Sequence, residues 1–155
     1  MMKIITEIFR MPTGSLISLL YAVSDDGQVD LAVTGTLCEF VSLLYPPADA
    51  EFEDLLTQVK AGTYQSANPL LADFGVNDVN VWFATRNQKD ECIFISNENI
   101  PDYSIDHGPL QQFSIQEFHA VSACWKKFQQ KIRENGAERY MGQKFETVIT
   151  SSIGQ

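Results

Sequence analysis

Histidine, cysteine and clustered aspartate are the residues of this chain whose chemistry could go beyond packing. There are two histidines and three cysteines in 155 residues. His107 ends the stretch Asp102-Tyr103-Ser104-Ile105-Asp106-His107, and a carboxylate beside an imidazole is the composition of an acid–base pair. Loop neighbours point in different directions, however, so the groups are present without convergence. At about 100° per residue, His119 falls opposite the Phe118/Trp125/Ile132 stripe of its helix and is expected in solvent. Asp25-Asp26-Gly27-Gln28-Val29-Asp30 offers oxygen ligands, but the same residues make a tight turn. Cys-x-x-Cys, His-Glu-x-x-His and the calcium loop are all missing from the sequence. So are a Gly-x-Ser-x-Gly elbow and a glycine-rich phosphate loop, since Gly35 and Gly62 stand alone. Cys38, Cys92 and Cys124 are widely spaced and odd in number, the pattern of reduced thiols rather than of a disulfide framework. We expect no catalytic residue, no metal ligand and no cofactor, hence a protein that is not an enzyme.

The elements that would position these groups are read from periodicity and breakers. Lys3–Arg10 predicts a strand, Met11-Pro12-Thr13-Gly14 a turn, and Ser15–Val23 a second strand, although helix fits the apolar run equally by period. Asp26-Gly27 is a hairpin signal, and Val29, Leu31 and Val33 alternate as a third strand would. Thr36 and Glu39 match a capping box opening a helix with Leu37, Phe40, Val41 and Leu44 on one face, stopped by Pro46-Pro47. A second helix starts near Asp49, presents Phe52, Leu55, Leu56 and Val59, and ends at Gly62. Residues 63–78 read as irregular. Val79, Val81 and Phe83 alternate, Asn87–Asp90 turns, and Glu91–Ser96 returns as a hairpin. Asn97–Gly108 reads as loop. Ser114 and Glu117 form another capping box, opening a long helix with Phe118, Val121, Trp125, Phe128 and Ile132 inward and Gly136 at its end. Phe145–Thr150 is a last strand. The expectation is one α+β domain over residues 1–155: a mostly antiparallel sheet of about five or six strands, two shorter helices and one long C-terminal helix.

Charge is the least ordinary feature. The net charge is −9. From Met11 to Val59 there are eight acids (Asp25, Asp26, Asp30, Glu39, Asp49, Glu51, Glu53, Asp54) and no lysine, arginine or histidine. Residues 1–106 hold sixteen acids against five bases, whereas residues 107–155 hold four against six. A one-signed acidic surface repels phosphate and anionic lipid and steers basic partners toward itself, so neither nucleic acid nor membrane is expected as a partner. The longest apolar stretch, Leu16–Val23, is far short of the roughly 20 residues of a spanning helix. With Glu7 interrupting any signal-peptide core, a cytoplasmic protein is expected.

In size, acidity and α+β build the chain resembles bacterial toxin immunity proteins, including those paired with contact-dependent growth inhibition toxins. The resemblance implies a cytoplasmic inhibitor that binds one cognate toxin domain, commonly a basic nuclease, and covers its active or substrate surface. From the residues themselves, the expected contacts are the acidic loops: Asp25, Asp26 and Asp30, then Asp73, Asp78, Asp90, Glu91, Glu98, Asp102 and Asp106, with Tyr103 as an aromatic anchor. The alternatives are a small-molecule domain or enzyme with a pocket between sheet and helices, drawing on His107, Asp106 and Cys92, and an adaptor using an exposed apolar face. The sequence does not set the oligomeric state.

Overall fold

Strand β1 (Met2–Arg10) turns back into β2 (Leu16–Val23) through Gly14, whose φ of +92° suits a residue without a Cβ. The pairing is antiparallel, from Lys3 opposite Val23 to Arg10 opposite Leu16. This computed structural model describes residues 1–66, 71–83, 92–106 and 110–150. The last described strand, β7 (Lys144–Ile149), lies antiparallel on the other side of β1, giving the order β2-β1-β7. Met2, Ile4, Thr6 and Ile8 alternate along β1 and are buried, as the period-two pleat requires of one core-facing side.

A second antiparallel sheet has the order β3-β4-β5-β6, with β3 Phe74–Val76, β4 Val79–Phe83, β5 Cys92–Asn97 and β6 Gln111–Ser114. Val79, Val81 and Phe83 alternate inward as expected. Asn77 takes the left-handed φ of 53° that closes the β3–β4 turn, a conformation asparagine tolerates. The fold is therefore α+β with a long C-terminal helix, but the seven strands among the described residues form two sheets rather than one. Residues 63–78 are not wholly irregular: they contain β3. Strand β6 directly precedes the helix that Ser114 caps. Both strands are too short to leave a periodic signature. The Asn87–Asp90 turn lies outside the described residues.

The largest correction concerns residues 29–43. Val29 makes a single bridge to Val23, and the chain then leaves the sheet for helix α1 (Leu31–Leu43). Asp30, not Thr36, caps it: the Asp30 carboxylate accepts from the Val33 N–H at 3.2 Å. Thr36 sits inside the helix, its hydroxyl donating to the Ala32 carbonyl at 2.6 Å. Residues Thr34–Cys38 form a π-helical turn within α1, an inserted widening of the kind that distorts a regular ladder. The helix wins because it buries Leu37, Cys38, Phe40 and Val41 together. Val29 and Leu31, the residues of the expected alternation, stay outside the core at 50% and 68% exposure. Asn97, itself buried, ties this helix to β5 by donating to the Gly35 carbonyl at 2.8 Å. A Cβ on Gly35 would stand 2.5 Å from Ile100 Cδ1, so a larger residue there would require the end of the Ile100 side chain to move.

Helices α2 (Ala48–Ala61) and α3 (Ile115–Asn135) follow the periodicity closely. Gly62 ends α2 in the left-handed conformation, and Ser114 and Glu117 cap α3 reciprocally. Phe52 of α2 is the packing centre. It meets Phe40 of α1 at 4.9 Å between ring centroids, Phe74 of β3 at 5.0 Å, Phe83 of β4 at 5.8 Å and Phe118 of α3 at 5.0 Å. No single helix among the described residues is long and apolar enough to cross a membrane.

Phe52→Ala should cost about 3–5 kcal/mol, measured by urea unfolding; a loss under about 1 kcal/mol would contradict the packing. A second outcome follows from three protonated groups. Burial first, then the charges of Asp30, Cys124 and Glu39, push the Cys38 thiol from 9.0 up to about 12. Burial and a hydrogen bond to Glu7 raise Tyr21 from 10.0 to about 12, and burial and a hydrogen bond to Asp73 do the same for Tyr64. The unfolded chain loses these protons first. The stability they confer is therefore complete below about pH 9 and declines as pH climbs from there toward 12. The urea midpoint should fall across that window, and less steeply in Cys38→Ala.

Candidate functional site

Each expected contact residue has a definite place, and the places differ. Asp25 and Asp30 come together at the end of the β1–β2 sheet. They line a pocket of about 220 Å³ with Met1, Met2, Ala22 and Val33. The chain supplies this convergence by closing the Ser24–Gly27 turn, where the Gly27 N–H donates to the Ser24 carbonyl at 2.9 Å, and by starting α1 at once. Asp26 is exposed and serves the turn, accepting from the Ser24 hydroxyl and from the Gln28 N–H. Those two bonds hold its carboxyl below the usual carboxylate range. The Asp30 carboxylate has a double duty, capping α1 while facing the pocket. Met1 on the pocket wall is exposed, as are Val29 and Leu31 on either side of Asp30 in the chain.

Of the five later acids that are described, three accept hydrogen bonds within the fold. Asp73 accepts from the Tyr64 hydroxyl at 2.6 Å and from the Phe83 N–H at 2.9 Å. Asp78 accepts from the Asn99 side chain at 2.8 Å. Glu98 accepts from the Ser96 hydroxyl and the Ile105 N–H, each at 3.3 Å. Asp73 and Asp78 flank opposite ends of the β3–β4 hairpin and form no common surface. Tyr103 is half-buried at the end of a 3-10 turn, its ring edge 3.8 Å from where a Gly35 Cβ would stand, so it packs the loop onto α1. Asp102 and Asp106 are exposed. Asp90, Glu91 and His107 lie outside the described residues.

Of the eight acids between Met11 and Val59, only Glu53 makes an ion pair among the described residues, with His119 at 3.1 Å. The basic C-terminal side chains do not cross to neutralise the rest. Lys131 sits 4.4 Å over the Phe145 ring, Arg133 bonds Gln130, and Arg10 and Lys144 pair with Glu138 and Glu7. Among the described residues, the acids of the Ser24–Asp30 turn and of the exposed side of α2, Glu53 aside, therefore have no ion-paired cation.

Sequence reasoning missed a second concavity. His119 is exposed, as its helical phase requires, but its Nε2 lies 3.1 Å from both Glu53 oxygens, a contact 66 residues apart in the chain. This pair borders a groove of about 480 Å³ between α2 and α3, together with Leu56, Thr57, Lys60, Ile115 and Gln116. Its carboxylate, imidazole, hydroxyl and ammonium groups suit a small polar ligand. The groups named for a pocket around His107 do not converge, because Cys92 is buried at the start of β5 and exposed Asp106 follows the loop beyond its far end. Among the described residues no cluster of histidine, cysteine, aspartate or glutamate is arranged to hold a metal ion.

Fold and site together define an α+β protein in which seven of the eight acids of the 11–59 segment have no ion pair among the described residues. Comparison with known proteins finds no family model, no curated protein and no solved structure that matches this chain.

Committed and uncommitted carboxylates should separate in stability. Asp73→Ala leaves the Tyr64 hydroxyl and the Phe83 N–H without an acceptor and should cost about 1–3 kcal/mol. Asp25→Ala should stay within about 0.5 kcal/mol of the parent. Chemical denaturation of both variants decides this, and equal losses would contradict the division.

Proposed function

We propose that this chain is a non-enzymatic inhibitor of the immunity type, which binds a basic cognate toxin domain and occludes its active or substrate surface. The observation that carries the reading is the missing counter-charge: seven of the eight acids of the 11–59 segment have no ion-pair partner among the described residues. A nuclease surface is cationic because it must hold phosphate, and a field of one sign speeds encounter with it. Affinity comes from a few desolvated anchors. The pocket between Asp25 and Asp30 suits a lysine or arginine side chain, with exposed Met1, Val29 and Leu31 offering apolar contact beside it. The contact surface is thus the Ser24–Asp30 turn and α2, with Asp73, Asp78 and Glu98 left to structural work.

A second reading rests on the groove of Glu53 and His119, whose volume is of small-molecule size. A ligand there would make the protein a small-molecule sensor or enzyme. Glu53→Ala with His119→Ala would then abolish ligand binding.

Co-expression with the C-terminal domain of the large reading frame immediately upstream of the gene tests the first reading through cell survival. Protection with co-purification is the expected result; a lethal domain that kills despite co-expression would remove that pairing. In the purified complex, association should slow steeply as salt rises. Asp25→Lys should weaken binding about tenfold or more, whereas Asp78→Asn should leave it unchanged.

A further inference from the structure

Strand β2 is an edge strand, and over Leu16–Leu20 its outer edge has no backbone hydrogen-bond partner among the described residues. Ala22 shows which way that edge points: its N–H donates to the Thr34 hydroxyl at 2.9 Å, and its carbonyl accepts from the Asp30 N–H at 2.8 Å. Both groups therefore face away from β1. Backbone direction alternates with period two in an antiparallel pair, so the N–H and C=O groups of Leu16, Ser18 and Leu20 face the same way. None of these has a backbone partner outside the sheet among the described residues. The cause is the early departure of the chain at residue 31, since a third strand over 29–33 would have covered this edge. The opposite edge of the sheet, β7, carries Lys144 and Glu146, charges of the kind that discourage edge pairing. The eight residues of β2 contain no charge and no proline.

We propose that β2 pairs antiparallel with β2 of a second copy of this chain, joining two three-stranded sheets into one of six. A two-fold axis at Ser18 places Leu16 opposite Leu20 of the second copy and Ser18 opposite its equivalent, so that all the outward-facing backbone groups meet their complements. On the outer face Ile17, 39% exposed, lies opposite Leu19 of the second copy. Backbone self-complementarity of an uncharged edge selects a second β2 as the partner, and charge selects the orientation. Two chains of net charge −9 meet along a seam that contains no acid. In the same register the Ser24–Gly27 turn of each copy, with Asp25 and Asp26, reaches the Met11–Ser15 turn of the other. There stands Arg10, the one cation between residues 4 and 59, already bonded to the Gly14 carbonyl and Glu138. The two Asp25–Asp30 pockets then lie at opposite ends of the seam. This proposal does not depend on the toxin reading.

Sedimentation velocity of the full chain from micromolar to sub-millimolar concentration tests it. The expected result is a monomer–dimer equilibrium that Ile17→Lys weakens about tenfold or more. Val148→Lys, on the same sheet face beside the charged edge, should leave it unchanged. Ile17 and Val148 point outward, so both variants keep the core, which far-ultraviolet circular dichroism verifies. Independently of any variant, hydrogen exchange at the Leu16, Ser18 and Leu20 amides should slow as concentration rises. A monomer throughout the range, or a dimer broken by Val148→Lys and not by Ile17→Lys, would overturn the proposal. So would concentration-independent exchange at those three amides.

Discussion

The fold depends on one buried contact, the meeting of four phenylalanine rings around Phe52. Phe40, Phe74, Phe83 and Phe118 come from α1, β3, β4 and α3, elements spread over most of the chain. Edge-to-face and offset ring pairs carry orientation as well as apolar area, so the cluster fixes how the helices lie on the four-stranded sheet. The three-stranded sheet joins the same core through Ile4, Ile8, Ala22 and Ile149. Once Phe52 is seated, α2 has one orientation, and its acids Glu51 and Asp54 have no choice but solvent. The acidic face is therefore a consequence of apolar packing in a segment that happens to hold no cations.

Position in the fold, more than charge itself, sorts the carboxylates into two kinds. Those that accept hydrogen bonds from the protein's own backbone or tyrosines, as Asp73 does, close local geometry and are partly desolvated. Those on the Ser24–Asp30 turn and α2 keep their hydration and their field. Asp30 belongs to both kinds, because one carboxylate caps a helix and borders a pocket. A site built on such a residue inherits the rigidity of the helix end that it holds.

Long elements with one face in the core were legible in the sequence. β1, α2 and α3 follow from periodicity alone, and the Ser114–Glu117 capping box and Gly62 end cap stand where residue type puts them. Residues 29–33 were not legible, because Val29, Leu31 and Val33 satisfy a strand alternation while Val33, Leu37 and Val41 satisfy a helical spacing. Tertiary burial of Leu37 and Phe40 decided between them. The acidic run was legible as composition, and its lack of compensation is visible only once distant cations are placed. Pairings such as Glu53 with His119 and Tyr64 with Asp73 depend on chain reversals that no local pattern encodes.

The π-helical turn at Thr34–Cys38 sets a constraint on chain length. Such a turn accommodates one more residue than a regular helix over the same rise. Removing one residue there would restore an ordinary ladder while leaving the residues beyond it close to their present phase, so Phe40 keeps its place against Phe52. Removing one residue from the regular turns on either side would instead swing everything downstream by about 100°. Among sequences sharing this fold, gaps within this helix should therefore collect at residues 34–38 and avoid the turns that flank them.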